Sequence, residues 1–163
     1  MTITEFNALE SDAFIATLGG IFEHSPWVAR DALPSRPFVS LEDLHAAMCA
    51  VMRAASHDQQ LELIRAHPEL AARAQMSADS VSEQRGAGLD QLTPDEYAGL
   101  LELNAAYRAK FGFPFIVAVK GKDKNDIRAA LEERVHNDLE TEFQTALAQI
   151  ERIALFRLEA LLG

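Results

Sequence analysis

Apolar side chains recur every three or four residues through most of this chain, the spacing that turns one face of a helix toward a core. The pattern predicts a short first helix capped by Thr4 and carrying Phe6 and Leu9. A second helix carries Phe14, Leu18, Ile21 and Phe22, weakened by Gly19-Gly20. Ser25 and Pro26 signal a restart as cap and first helical residue. Pro34 to Phe38 reads as a loop, because Pro34 and Pro37 cannot both sit inside a helix. Ser40 opens a helix with Leu44, Met48, Val51 and Ala55 on one face. Leu61, Leu63 and Ile64 mark a short helix that must end about His67, since a residue before proline is pushed out of the α region. Pro68 can open the next helix, with Glu69 in its first turn.

Thr93-Pro94-Asp95-Glu96 is the cleanest helix start in the chain, with Tyr97, Leu100, Leu101, Asn104 and Tyr107 following on one face and Gly112 as the stop. Residues 113–119, FPFIVAV, form the only strand-like run. With no second strand to pair with, they read as an extended buried segment whose backbone groups could bond a ligand. Asn125 is placed to cap a helix with Ile127, Leu131 and Val135, which His136-Asn137-Asp138 would kink. A long last helix shows Phe143, Leu147, Ile150, Ala154, Leu158 and Leu161 on one stripe. The expectation is an all-α fold, one domain over 1–163, a helical bundle of roughly seven to nine helices.

Composition narrows the function classes. Fifteen basic against 25 acidic residues give a formal charge of −10, a field that repels nucleic acid and anionic lipid. No apolar run approaches the roughly 18 residues of a membrane span. The lone Cys49 excludes an internal disulfide, and no Cys or His spacing suggests a metal. With no signal-peptide pattern in MTITEFNALESDAF, the expected compartment is the cytoplasm.

Candidate chemistry concentrates in His67 to Leu89. An imidazole, His67-Pro68, stands at a junction of helices, and a polar turn, Ser80-Val81-Ser82-Glu83-Gln84, precedes Gly86-Ala87-Gly88. Spacing alone leaves open whether His67 acts on a ligand or caps a helix. His24 and Trp27 could line a site but read first as a turn and a packed aromatic. His45 and His57 read as solvated or boundary residues. Arg157 falls on or beside the apolar face of the last helix, where a charge either snorkels to the surface or needs an anionic partner, a ligand or a structural carboxylate.

Three motifs in fixed order now stand out: His67-Pro68-Glu69-Leu70; Ser80-x-x-Glu83-Gln84-x-x-Ala87-Gly88-Leu89; and Phe111-Gly112-Phe113-Pro114-Phe115-Ile116. Together they resemble the signature of the OHCU decarboxylases, which act on 2-oxo-4-hydroxy-4-carboxy-5-ureidoimidazoline in urate degradation. The resemblance extends over nearly the whole chain, through Phe6-Asn7-x-Leu9, Arg36-Pro37-Phe38, Leu103-Asn104-x-x-Tyr107 and Ile153-Ala154-x-x-Arg157-Leu158. It implies an all-helical homodimer that uses no cofactor and takes a small ureide. It also implies His67 as acid/base catalyst, Glu83 as a second catalytic group and Arg157 as the functional arginine, with Arg134 the fallback. Pro68, Ser80, Val81, Ser82, Glu83, Gln84, Phe115, Ile116, Val117, Ala118 and Val119 carry over as substrate-binding positions. The ending Leu161-Leu162-Gly163 lacks the peroxisomal tripeptide of vertebrate members, which again favours the cytoplasm. Two other readings compete: a ureide ring-opening hydrolase in which His67 activates water, and a non-catalytic helical interaction module.

Overall fold

Nearly every long helix begins where a short polar side chain can accept from the free N–H groups of a first turn. In a computed structural model describing residues 1–70 and 78–162, nine α-helices follow one another: α1 (Ile3–Ala8), α2 (Ser11–Leu18), α3 (Trp27–Ala32), α4 (Leu41–Ala54), α5 (His57–Ala66), α6 (Ala78–Gly86), α7 (Pro94–Phe111), α8 (Lys124–Arg134) and α9 (Leu139–Leu162). Short 3-10 turns occur at Leu33–Ser35 and Leu89–Gln91, and no strand is present among the described residues. The all-α expectation is met.

The caps show which local signals decide. Ser40 caps α4 and Thr93 caps α7 as expected, the latter in a full capping box with Glu96. α1 is capped two residues earlier than Thr4: Thr2 caps it, because Glu5 stands three residues on and returns a bond to the cap N–H. Asn7, three after Thr4, is instead committed to both backbone groups of Phe38, at 2.8 Å each. Asp123, not Asn125, caps α8, again because the residue three on, Asp126, closes the box. Ser25 does not cap α3. His24 takes a left-handed φ of 48°, and the Ser25 hydroxyl donates back to the Glu23 carbonyl at 2.9 Å.

The chain divides into two compact units, Met1–Leu63 with Glu151–Gly163, and Ile64–Ile150. In the first, Phe6, Phe14, Leu18, Phe22, Val28, Leu44, Met48 and Met52 are buried together with Ala154 and Leu158. Met52 rather than Val51 completes the buried row of α4. α2 stops at Leu18, yet Ile21 and Phe22 beyond it are still buried. Gly19 permits that turn, since a Cβ there would lie 2.7 Å from the Ile15 carbonyl oxygen. Pro34 lies inside a 3-10 turn rather than a loop, a tighter helix that tolerates proline near its start.

In the second unit, α7 buries Leu100, Asn104, Tyr107 and Phe111. Tyr97 and Leu101, expected on this face, lie at its edge and are exposed. Gly112 ends α7 with φ 75°, its N–H on the Arg108 carbonyl. Residues 114–119 then run without regular hydrogen bonding, as the sequence suggests, beneath an aromatic cluster in which Tyr107 meets Phe111 at 4.5 Å and Phe115 edge-on at 5.3 Å. Residues 136–138 do not kink one helix but separate two, α8 and α9. Among the described residues no helix is long and apolar enough to cross a membrane.

Lys124 at the start of α8 reaches Glu96 in the first turn of α7 at 2.7 Å. That bond, aided by the Thr93 N–H, holds the Glu96 carboxyl down at about 2 instead of 4.5. A depressed carboxylate stabilises the fold above its unfolded pKa and loses that contribution as pH falls through its folded value. We therefore expect Lys124→Ala to lower stability near neutral pH and to match the parent as pH approaches 2. Carboxyl NMR titration of Glu96, with urea unfolding across that range, checks both; a Glu96 midpoint unmoved by the substitution contradicts the assignment.

Candidate functional site

His67 is placed by two constraints. Pro68 forces the helix to stop, so α5 ends at Ala66 and the His67 N–H bonds back to the Ile64 carbonyl at 3.2 Å. The residues on either side are then tied to α7. Arg65 donates to the Gly112 carbonyl at 3.2 Å, and Glu69 accepts from Asn104 at 2.8 Å and from Arg108 at 3.1 Å. The imidazole between them is 7% exposed. Pro68 and Glu69 are not helical. The helix expected from Pro68 therefore does not begin there, and its continuation, residues 71–77, lies outside the described residues.

The polar stretch at Ser80 is a helix, not a turn. α6 runs from Ala78 to Gly86 and is stopped by Gly88, whose φ is 78°. Its composition misled because it contains no apolar stripe. In helical register, however, Ser80, Glu83, Gln84 and Ala87 are three, four and seven residues apart and share a face. The burial follows that face: Ser80 and Ala87 are buried, Glu83 and Gln84 half-buried, and Ser82 exposed. Val81 is half-buried. His67, Ser80, Glu83 and Gln84 are all engaged by other groups of the chain.

The third component is the extended segment. Phe115, Ile116 and Ala118 are buried; Val117 and Val119 are half-buried. Arg134, at the end of α8, donates from Nη1 to the Ile116 carbonyl at 2.6 Å and lies 4.4 Å over the Phe115 ring. Its Nε donates to Glu142 at 2.9 Å. Glu142 is fully buried and also accepts from Tyr107 Oη at 2.6 Å and Asn137 Nδ2 at 2.9 Å. Burial, reinforced by the Glu142 carboxylate, pushes the Tyr107 phenol well above its ordinary pKa, so it donates and stays neutral.

His67, Ser80, Glu83, Gln84, 115–119 and Arg134 all belong to the second unit. Arg157 belongs to the first, where it is 7% exposed and pairs with buried Glu23 at 2.8 Å while donating to the Gly20 carbonyl at 3.2 Å. Of the two partners the sequence left open for it, the structure supplies a structural carboxylate. His24 is exposed. His45 bonds to the Glu151 carbonyl and to Cys49, whose thiol is pushed up to about 12 by burial and the Glu151 charge. Among the described residues no cluster of three His, Cys, Asp or Glu side chains could hold a metal.

Sequence reasoning missed Glu142, Gln149 and the Asn104–Glu69 contact. Glu142 sits in a first turn where acids are expected on dipole grounds alone, so nothing signalled its burial. Asn104, a polar residue on a buried face, was the available hint.

Compared with known proteins, residues 7–159 match the family model described as OHCU decarboxylase. The chain is 45% identical to the 2-oxo-4-hydroxy-4-carboxy-5-ureidoimidazoline decarboxylase of Haloferax volcanii, covering 97% of this chain and 94% of that one. It is 50% identical to a uric acid degradation bifunctional protein of Bacillus subtilis, over 96% of this chain but only 32% of that protein, so it spans about a third of that relative's length. Among solved structures, an (S)-allantoin synthase superposes with a TM-score of 0.80 at 36% identity, covering 98% of this chain and 53% of the other.

The Arg157–Glu23 pair carries its own prediction. Removing one member of a buried pair costs about 3–5 kcal/mol, whereas replacing both with apolar groups of similar size is far milder. Arg157→Met should therefore destabilise strongly by urea denaturation, and Glu23→Leu/Arg157→Met should recover most of the loss. Equal destabilisation by single and double variants would show that the pair is not coupled.

Proposed function

Because the chain belongs to the OHCU decarboxylase family, we propose that it converts 2-oxo-4-hydroxy-4-carboxy-5-ureidoimidazoline to (S)-allantoin and CO2, the closing step from urate to allantoin. The observation that carries the proposal is the family match over residues 7–159; the motif residues His67, Glu83, Gln84 and Arg157 are all present in the sequence.

The substrate carries a hydroxyl and a carboxylate on one ring carbon, beside a carbon–nitrogen double bond. When the bond to CO2 breaks, its electron pair forms a new double bond to the neighbouring ring carbon. The former C=N pair moves to nitrogen, which takes a proton. The enol-like product then loses its hydroxyl proton and gains one on the neighbouring carbon, from one face, to give a single enantiomer. The substrate stores its own electrons, so the chain's task is orientation and proton handling.

Histidine suits that task because its ordinary pKa lies near working pH. In this reading His67 contacts the carbon bearing hydroxyl and carboxylate and drives CO2 loss. Glu83 holds the hydroxyl or orients His67. Pro68, Ser80 to Gln84 and the backbone of Phe115 to Val119 bind the ureido and ring amides. Arg157 enters through the family resemblance alone, as the group that attracts the anionic substrate. A cytoplasmic homodimer is the assembly we assign, and light scattering of the purified chain tests its oligomeric part.

Positioned acid–base catalysis contributes about 10²–10⁴-fold. His67→Asn should lower kcat by at least that lower bound with unchanged thermal unfolding. The assay follows freshly generated substrate by circular dichroism, which reports both its decay and the handedness of the allantoin formed. Full activity in a folded His67→Asn variant removes His67 from the mechanism. Acceleration only of ureide hydrolysis would replace the decarboxylase reading with the hydrolase one.

A further inference from the structure

An extended segment in an all-helical chain must find partners for its backbone from side chains. Two are supplied here. Arg134 donates to the Ile116 carbonyl at 2.6 Å, and Gln149 Oε1 accepts from the Ala118 N–H at 2.9 Å. In extended backbone, residues two apart turn their polar groups to the same edge, and the residue between turns its own to the opposite edge. With the run read as extended, as its sequence suggests, Ile116 and Ala118 are clamped along one edge, from α8 and from α9. The Val119 carbonyl is taken by the Lys122 N–H at 2.9 Å, which ends the run. Val117, half-buried, has no hydrogen bond to either backbone group among the described residues.

Arg134 is itself fixed from three sides: by Glu142, by the Ile116 carbonyl, and by the Phe115 ring beneath it. Glu142 accepts from two further donors, Tyr107 and Asn137. A charge pair this buried stabilises little, since desolvation offsets most of its attraction. A pair of apolar side chains would fill the space at no such cost, but neither could donate to a carbonyl.

We propose that Arg134 and Gln149 are positioning residues that set the register of residues 115–119 and turn the Val117 N–H and C=O toward the ureide. The inference rests on the decarboxylase reading and gives it a specific recognition edge. A ureide presents N–H donors beside C=O acceptors, and an extended residue offers that same donor–acceptor pair in complementary order. These bonds are made equally to substrate and to the transition state, so their loss is read in KM rather than in kcat.

The test compares Arg134→Lys and Gln149→Leu with wild type and His67→Asn in the circular dichroism assay. Lysine keeps the charge beside Glu142 but lacks the planar fork that reaches a carbonyl and a carboxylate together. Gln149→Leu leaves the buried ion pair untouched, so it reports on register even if the arginine variant unfolds. Each folded variant should raise KM about tenfold, the worth of one hydrogen bond, with kcat held within about threefold. His67→Asn should do the reverse. In parallel, allantoin titrated into nitrogen-15-labelled wild type should shift the Val117 amide more than those of Ile116 and Ala118. An unchanged KM in the folded variants, or a Val117 amide that does not move, overturns the inference while wild-type turnover keeps the functional reading standing. A wild type inactive on the substrate overturns both.

Discussion

Six residues outside any helix, 114–119, in a helical protein impose the constraint on which the second unit depends. Helices satisfy their own backbone, but 114–119 cannot, and buried amides left unpaired cost about 1–3 kcal/mol each. The chain answers with side chains drawn from α8 and α9, Arg134 and Gln149, and with aromatic packing from α7. The polar residues buried there, Glu142 among them, follow from that demand. Once Arg134 is required at the Ile116 carbonyl, a carboxylate is required at Arg134, and Tyr107 and Asn137 complete that carboxylate's bonding.

A second constraint acts at the His67 corner. Proline ends α5 without any contribution from the rest of the fold, but an interrupted helix is free to swing. Ties at Arg65 and Glu69 remove that freedom, so the imidazole is fixed by backbone restriction and side-chain bonds together. In both places the same helix, α7, supplies the anchor. Its one buried stripe thus serves the corner through Asn104 and the extended segment through Tyr107.

Much of this was legible before the structure. Local stereochemistry carries the Thr93 and Ser40 caps, the Gly112 stop and the break at Pro68, because each depends on residues within four positions. The errors have the same origin seen from the other side. Thr4 and Asn125 lost their caps to Thr2 and Asp123 because an acid three residues on outweighs the cap side chain alone. α6 was read as a turn because its burial is polar, so hydropathy had nothing to report, while the spacing of Ser80, Glu83 and Gln84 already fitted a helix. The bonds of Glu142 reach 5, 8 and 35 residues along the chain, and Gln149 reaches 31; none leaves a local trace. The inward place of Arg157 was legible from periodicity, and its partner Glu23 was not.

The character of the proposed reaction explains why such clamps belong here. When the substrate accommodates its own electrons, the protein gains little from strong chemistry and much from holding one ring face toward one proton source. A grip of that kind is shared by substrate and transition state, so it sets how firmly the ring is held rather than how fast it reacts, and it works only if the groups that grip the ring do not drift. A loop held by water would drift. An extended segment whose inner edge is pinned by a guanidinium, itself pinned by a carboxylate with no solvent exposure, has few ways to move without breaking several bonds at once. Apolar packing could have filled the same volume more cheaply, yet it fixes position only to within the slack of a van der Waals contact. Hydrogen bonds to a named carbonyl fix which edge of the backbone faces outward, and for a ligand recognised by alternating N–H and C=O groups that choice of edge is the recognition itself.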